Sequence, residues 1–516
     1  MIKLQEAKEL RDGKVNKIEL LKQTGKPIDF FNNLENLCKG SIEDLTDTDK
    51  NYFLKCFGIF HKDDDTFMLR VRIPAGQLTF FQAIEIGKIA IWYGENYIDI
   101  TTRQQIELRY LKFNDLYEVI KQLQNVGIST FQTGIDNFRN IVTSSFDGLG
   151  NQEIIECKPI INSMQEIFLE DEEWIGTLPR KFNTAILGTS VNDCNIYGHD
   201  CCFIVAKKDE KIGFNLYLGG KVGVQATNSG IFVEQKDVIS VYKAIINLFK
   251  EFGFRDNRNK NRLHFLLEAV GMDEFVKAIK VYSSLEFQEA GEILAKDEFI
   301  LDSDGILTLN ENLIAYNFSI PSGIFTGEAM MEAGTLAELV LGQIRLSVEQ
   351  SFYIVCKKEH QEALKNSSLS IKYHKYQNIY FRNLIACAGT KTCSFGVIPC
   401  KSDAIEMANY LTNEIPFDDG KIRFYWSGCP KGCGIHGVGD IGFEGCKAKD
   451  ENGNKVDGVH IFIGGKATLE AKEARILYKA LPLDVAKEKV KEIVLNYKNN
   501  KLAGESFEEF ESRVTM

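Results

Sequence analysis

The chain repeats itself once, and a duplicated chain must fold as two copies of one plan. Arg72-Ile73-Pro74-Ala75-Gly76 returns as Ser319-Ile320-Pro321-Ser322-Gly323. The segment from Ile98 to Gln104 returns from Ile344 to Gln350, and Phe138-Arg139-Asn140 as Phe381-Arg382-Asn383. Asp200-Cys201-Cys202-Phe203 returns as Asp440-Ile441-Gly442-Phe443, and Leu218-Gly219-Gly220-Lys221 as Ile463-Gly464-Gly465-Lys466. The five offsets lie between 240 and 247 residues and keep their order along the chain. Any one of these matches is weak; their collinearity is the evidence.

Periodicity within each copy points to an α+β chain. Thr66 to Ile73 alternates as a strand and Phe80 to Tyr93 has the apolar face of a helix. Tyr97 to Thr102 and Ile106 to Leu111 read as strands around a polar turn, and 115–125 is helical up to Gly127. Strand, helix, strand, strand, helix is the order of the ferredoxin-like motif. It recurs from Ala315 to about Leu364, and each copy continues into a mixed α/β segment. The expected limits are an N-terminal helical extension over 1–50, with one charged helix at about 3–24, then ferredoxin-like half-domains at 51–130 and 291–375. Each half-domain is followed by a mixed α/β domain, at 131–290 and 376–516, the last with a C-terminal helix. The fold class is thus two pseudo-symmetric halves of one composite unit.

Composition narrows the function. At 516 residues, 44% hydrophobic and 26% charged, the chain is ordinary globular sequence with three or four domains' worth of length. A net charge of −11 argues against a nucleic-acid binder. Nothing resembles a membrane span or a signal peptide, so a cytoplasmic protein is expected. Thirteen cysteines are an odd number in a chain too large to need disulfides, which suggests reduced thiols and a metal site. Cys38, Cys56, Cys157, Cys194, Cys201, Cys202, Cys356, Cys400 and Cys446 read as small buried hydrophobes.

The two copies differ where chemistry is expected. Only the second carries Cys387-x5-Cys393 followed by Cys429-x3-Cys433, with Gly389, Gly396, Gly428, Gly432 and Gly434 around them. Four thiolates in two close pairs suit an iron–sulfur cluster or a tetrahedral zinc, and buried free thiols are the third reading. The glycines let backbone approach a bulky group. Gly437-Val438-Gly439-Asp440-Ile441-Gly442 spells a dinucleotide-type fingerprint but follows a cysteine turn, not a clear strand, and is set aside.

These cysteines, with Ser427-Gly428-Cys429-Pro430 at their centre, resemble the signature of assimilatory nitrite and sulfite reductases. The blocks 67–76, 101–104, 136–140, 178–182, 213–220 and 440–443 are similar to that family as well, so the resemblance covers about 5–500. It implies a sirohaem and a [4Fe–4S] cluster where the two halves meet. Cys387, Cys393, Cys429 and Cys433 would ligate the cluster, and Cys433 would bridge it to the sirohaem iron. Arg103 and Arg109, with Arg258, Lys260 and Arg262 from the run 255–262, would hold the carboxylate-rich sirohaem. Arg70, Arg139, Lys181 and Asn183 would bind and protonate the anion, with Arg72 expected to stay outside the cleft.

Sulfite-reducing members usually carry Lys-x-Lys where this chain has Lys181-Phe182-Asn183. Sulfite is largely a dianion near neutral pH and nitrite a monoanion, so one fewer cation favours nitrite. Thr102 before Arg103 and Gly389 in the spacer agree with that choice, whereas His436 departs from the pattern. The expected activity is six-electron reduction of nitrite to ammonium by a monomer, with ferredoxin or a similar carrier as donor. Sulfite reduction on the same scaffold is the alternative, and a non-catalytic zinc or bare-cluster protein is the reading from another class.

Overall fold

A computed structural model describes residues 1–516 except 12, 63–64, 297–300, 303, 418, 468–470 and 516. The chain divides into two compact units. The first comprises Met1–Asp99, Arg103–Glu298 and Thr326–Gly334, and the second Ile100–Thr102, Phe299–Phe325 and Thr335–Met516.

In the first unit, neighbouring strands run Ile59–His61, Thr66–Val71, Ile106–Lys112, Ile98–Ile100. The alternation seen in the sequence places Phe67, Leu69 and Val71 inside. Helix Phe80–Tyr93 starts at a capping box: Thr79 Oγ1 accepts from the Gln82 N–H and Gln82 Oε1 from the Thr79 N–H, at 3.2 and 3.1 Å. Such a cap contributes ~1 kcal/mol. Helix Leu116–Asn125 completes the expected order.

A second sheet in this unit runs Gln288–Glu289, Thr227–Glu234, Lys211–Leu218, Cys201–Lys208, Glu292–Ile293, with Thr184–Leu187 added parallel to Cys201–Lys208. Helix Val238–Phe252 buries Val241, Ile245, Leu248 and Phe252 along one face. The single charged helix expected at 3–24 is instead two, Ile2–Glu9 and Lys17–Lys22. Asn16 starts the second by accepting the Ile18 N–H, and its own N–H and side-chain amide both donate to the Arg255 carbonyl. A long-range anchor outcompetes helix continuity there.

In the second unit, strands Ile306–Thr308, Leu313–Phe318, Phe352–Lys357 and Gln343–Leu346 neighbour one another in that order. The other sheet runs Leu384–Ala386, Phe424–Ser427, Ile441–Lys449, Lys455–Ile463, Arg475–Pro482, with the first two pairings parallel. Its core includes Trp426 stacked on Phe443 at 3.9 Å and the buried face of helix Leu483–Asn500.

Both units repeat the same local construction. Thr184 pairs with Cys201 and Phe424 with Ile441, and in each case the preceding residues are tied together. The Asn183 N–H donates to Asp200 Oδ2 at 2.8 Å, and the Arg423 N–H donates to Asp440 Oδ2 at 2.7 Å. The Pro74–Gly76 and Pro321–Gly323 turns carry Ala75 and Ser322 at φ 59° and 50°. The Lys158 ammonium caps the first turn at the Pro74 carbonyl, and the Lys401 ammonium caps the second at the Ser322 carbonyl. The repeated turns hold a strained backbone geometry that packing and these ammonium groups keep in place.

Candidate functional site

In the first unit a group of cations lies around Arg139, which follows the segment 134–138. Its guanidinium is buried and donates only to backbone carbonyls: Nη1 to Gly134 and Asn137, and Nη2 to Ile135, at 3.0–3.3 Å. Burial, then the charges of Arg70, Arg103 and Arg180, pull its pKa well below the ordinary arginine value. Arg139 thus lies within electrostatic reach of three further arginines, an arrangement able to attract an anion.

Arg70 leaves strand Thr66–Val71 toward this group. Its Nε and Nη2 donate to Glu107 Oε1 at 2.9 and 2.8 Å, and its Nη1 donates to the Thr133 carbonyl at 3.0 Å. Arg103 and Lys181 are both half-buried, and the Arg103 carbonyl is held by the Asn140 amide at 3.0 Å.

Arg72 does not stay outside as expected: two positions from Arg70, just past the end of strand Thr66–Val71, it falls on the same side by strand alternation. It is 1% exposed, and its guanidinium donates to the carbonyls of Phe131, Phe138 and Arg139 at 2.9–3.2 Å. Buried there, the arginine pins the 131–139 segment that presents Arg139.

The arginines expected to hold sirohaem are not equivalent. Arg109 is a correction: its Nε donates to Asp99 Oδ2 at 2.7 Å and its Nη2 to Glu107 Oε2 at 2.5 Å, in the interior of the half-domain. Two internal carboxylates already take up its charge. Arg262 grips Asp200 with Nε and Nη2 at 2.8 and 2.7 Å, and Arg258 Nη1 donates to Asp136 Oδ2 at 2.5 Å. Lys22 also reaches Asp136, at 3.0 Å. Lys260 is exposed. Asn183 is buried, and its amide Nδ2 donates to Asp200 Oδ2 at 3.0 Å. The run 255–262 is thus largely a brace for Asp136 and Asp200 rather than a solvated face.

The second unit carries the thiols. Cys387 follows strand Leu384–Ala386, Cys393 ends the short helix Gly389–Thr392, and Cys429 and Cys433 follow strand Phe424–Ser427. All thirteen cysteines are free thiols. The Gly428 N–H donates to Cys387 Sγ at 3.0 Å. A hydrogen bond from Cys400 brings the Cys387 pKa down to about 6 against the opposing effect of burial, with the N–H groups of Gly428 and Gly389 and the charge of Lys401 assisting. Cys387 is a thiolate near neutral pH and a ready metal ligand. Burial, then the Lys431 N–H and the charges of Cys433, Cys387 and Cys393, act on Cys429, with a net upward shift. The other three thiols thus lie within electrostatic reach of Cys429.

Glycine backbone surrounds these thiols. A Cβ on Gly434 would stand 1.8 Å from the Trp426 carbonyl, and one on Gly428 would stand 3.1 Å from Gly389 Cα and 3.5 Å from Cys387 Sγ. Among the described residues, no three thiol, imidazole or carboxylate groups are placed to hold one metal ion. His436, buried beside this loop, places Nε2 3.2 Å from Glu444 Oε2. Gly437–Gly442 forms a short turn and a strand start in this region, which disposes of the dinucleotide fingerprint.

Sequence reasoning missed the carboxylates that organise the arginines (Asp99, Glu107, Asp136, Asp200) and the contact of Cys400 with Cys387. Asp136 and Asp200 did stand inside the conspicuous blocks, which was the available signal. Eight of the other nine cysteines, all except half-buried Cys446, are buried as expected.

Comparison with known proteins places these features. The model of the nitrite and sulphite reductase 4Fe-4S domain matches residues 134–287 and 380–514, and that of the nitrite/sulfite reductase ferredoxin-like half domain matches 59–126. The chloroplastic ferredoxin–nitrite reductase of Spinacia oleracea is 29% identical over 95% of this chain and 86% of its own length. The ferredoxin–nitrite reductase of Synechococcus elongatus is 30% identical over 89% of this chain and 92% of its own. The structure of the Mycobacterium tuberculosis NirA protein superposes with a TM-score of 0.89 over 97% of both chains at 23% identity, a likeness of fold.

Proposed function

The chain belongs to the nitrite and sulphite reductase 4Fe–4S family, and from that premise we propose that it reduces nitrite to ammonium with six electrons from reduced ferredoxin. The observation that carries this reading is the four-thiol set in its glycine cradle, with Cys387 poised as a thiolate. Cys387, Cys393, Cys429 and Cys433 would hold a [4Fe–4S] cluster, and Cys433 would also serve the sirohaem. Arg103 and the cations around Arg139 would hold the sirohaem carboxylates, assisted by Arg258 and Arg262 where their bonds to Asp136 and Asp200 leave donors over. When bound, sirohaem supplies an iron for the central atom of the anion, and the cluster supplies its electrons one at a time.

The chain's own residues do the rest. Arg70, fixed by Glu107, and Arg139, fixed by three carbonyls, hold the anion by charge and orient its oxygens. Lys181 donates protons to the departing oxygens and is reprotonated from water. Asn183 contributes no charge, which suits a monoanion. The local construction repeated at Asp200 and Asp440 supports the reading of two related halves, for which the limits 51–130, 131–290, 291–375 and 376–516 are proposed. No helix among the described residues is long and apolar enough to cross a membrane, and the protein is proposed to act in the cytoplasm as a monomer.

Steady-state turnover with a reduced viologen on nitrite and on sulfite tests the assignment. A higher kcat/KM for nitrite is expected; a higher value for sulfite overturns it. Purified protein without tetrapyrrole and iron–sulfur absorption overturns the enzymatic reading altogether.

A further inference from the structure

We propose that Lys22, from the N-terminal extension, is a positioning residue of the anion site: its ammonium ties together the two segments that lead into Arg139 and Lys181 and so sets where those cations meet the anion. The inference rests on the reading that Arg139 and Lys181 bind nitrite. In the sequence Lys22 is one lysine among Lys14, Lys17 and Lys26, and burial sets it apart: its side chain is 10% exposed against 68% for Lys26.

A buried ammonium needs a partner for each of its three N–H groups. Lys22 Nζ donates to the Leu178 carbonyl at 2.6 Å and to Glu19 Oε1 at 2.5 Å, and it stands 3.0 Å from Asp136 Oδ2. Leu178 lies three residues before Lys181, and Asp136 three residues before Arg139. The two segments then run side by side, with the Phe182 N–H donating to the Asn137 carbonyl at 3.0 Å and the Arg139 N–H to the Phe182 carbonyl at 2.8 Å. The carbonyls that receive the Arg139 guanidinium, those of Gly134, Ile135 and Asn137, flank Asp136. An anchor on the Asp136 carboxylate therefore steadies the frame in which Arg139 is held.

Lys22 is itself fixed. Glu19 accepts from Arg255 Nη1 on its other oxygen at 2.8 Å, and Asn16, which starts helix Lys17–Lys22, is bonded to the Arg255 carbonyl. At Asp136, burial would raise the pKa, but the charges of Lys22 and then Arg258 hold it below its ordinary value. Arg258 shares the charge balance there, and Lys22 adds the link to the Leu178 carbonyl.

Steady-state nitrite turnover of the holoprotein with a reduced viologen tests the proposal. Lys22→Met keeps the length of the side chain without its charge or donors. It is expected to raise KM for nitrite on the order of tenfold, with kcat held within about twofold. Lys22→Arg, which keeps charge and donors, is expected to stay within about twofold of the unaltered KM. Lys26→Met removes an exposed cation of the same extension and is expected to leave KM unchanged, which separates positioning from a general loss of positive charge. An unchanged KM in Lys22→Met, a loss confined to kcat, or the same rise in KM in Lys22→Arg or Lys26→Met overturns the proposal. If the methionine chain does not fold, Lys22→Gln takes its place, since it keeps a donor for the Leu178 carbonyl but no charge for Asp136. A rise in KM of about threefold is then expected, and an unchanged KM overturns the proposal. An unaltered protein that turns over no nitrite would instead remove the nitrite reading, and the inference with it.

Discussion

Asn183 and Asp200 are joined through one oxygen: the backbone N–H and the side-chain amide of Asn183 both donate to Asp200 Oδ2, at 2.8 and 3.0 Å. Arg262 binds the same carboxylate through both of its oxygens. Position 183 thus faces a negative charge that is already neutralised. Asn183→Lys therefore adds one uncompensated cation near Lys181. The ratio of kcat/KM for sulfite over nitrite is expected to rise on the order of tenfold, about 1.4 kcal/mol of differential binding. An unchanged ratio in viologen-driven turnover would show that this position does not discriminate between the anions.

Removing the carboxylate itself exposes a different cost. Asp200→Ala strands Arg262, whose side chain is only 11% exposed, as an uncompensated buried charge. A loss of ~3–5 kcal/mol is expected, read as a lowered urea midpoint. Asp200→Asn, which keeps the shape and one acceptor, should fall between the two.

Glu107 sits between Arg70 and Arg109 and makes a pH-dependent contribution. Burial alone would raise its pKa, but the charges of Arg109 and Arg70 outweigh burial and hold it below the ordinary carboxylate value. A carboxyl depressed in the folded state stabilises fully above its unfolded pKa, roughly 4.3. That contribution is lost as pH falls from there through the folded value. The stability difference between the unaltered protein and Glu107→Gln should be constant near neutrality and shrink below about pH 4.3. Urea midpoints across pH 3–7 measure it, and a difference that grows on acidification contradicts the assignment.

Gly434 has no room for a side chain, because its Cβ would stand 1.8 Å from the Trp426 carbonyl and 3.3 Å from the Cys387 nitrogen. Neither neighbour is a flexible side-chain end. Gly434→Ala is expected to cost ~1–3 kcal/mol or more and to displace the adjacent Cys433. Iron per chain and the iron–sulfur absorption should both fall, and full retention of both would contradict this account of the cradle.

Cysteine removal separates ligands from bystanders. Cys429→Ser should abolish the iron–sulfur absorption and most bound iron. Cys446→Ser should leave both at the level of the unaltered protein, since the charges of the other three thiols act on Cys429 and only that of Glu444 is identified at Cys446. Equal iron loss in the two chains would break the distinction.

Local chemistry was legible from the residues alone. The alternation of Thr66–Val71, the helical face of Phe80–Tyr93 and the stop near Gly127 depend on neighbours a few positions away, and the structure has them where the periodicity put them. The paired cysteine spacings likewise marked the two thiol-bearing turns beside strand ends, a short-range feature, and the matching family domain is named for a 4Fe-4S cluster. The N-terminal helix failed for a long-range reason, since Asn16 is held by the Arg255 carbonyl far along the chain.

Which cations remain for a ligand was decided only by tertiary structure. Arg70, Arg109 and Arg262 look alike in sequence, yet Glu107, Asp99 and Asp200 neutralise them to different extents. Arg139 has only carbonyls around its guanidinium. Residue type and spacing determine what a side chain is able to bind. Its actual partner depends on which groups the fold brings within a few ångströms, because hydrogen bonds and short-range Coulomb contacts fall away beyond that distance.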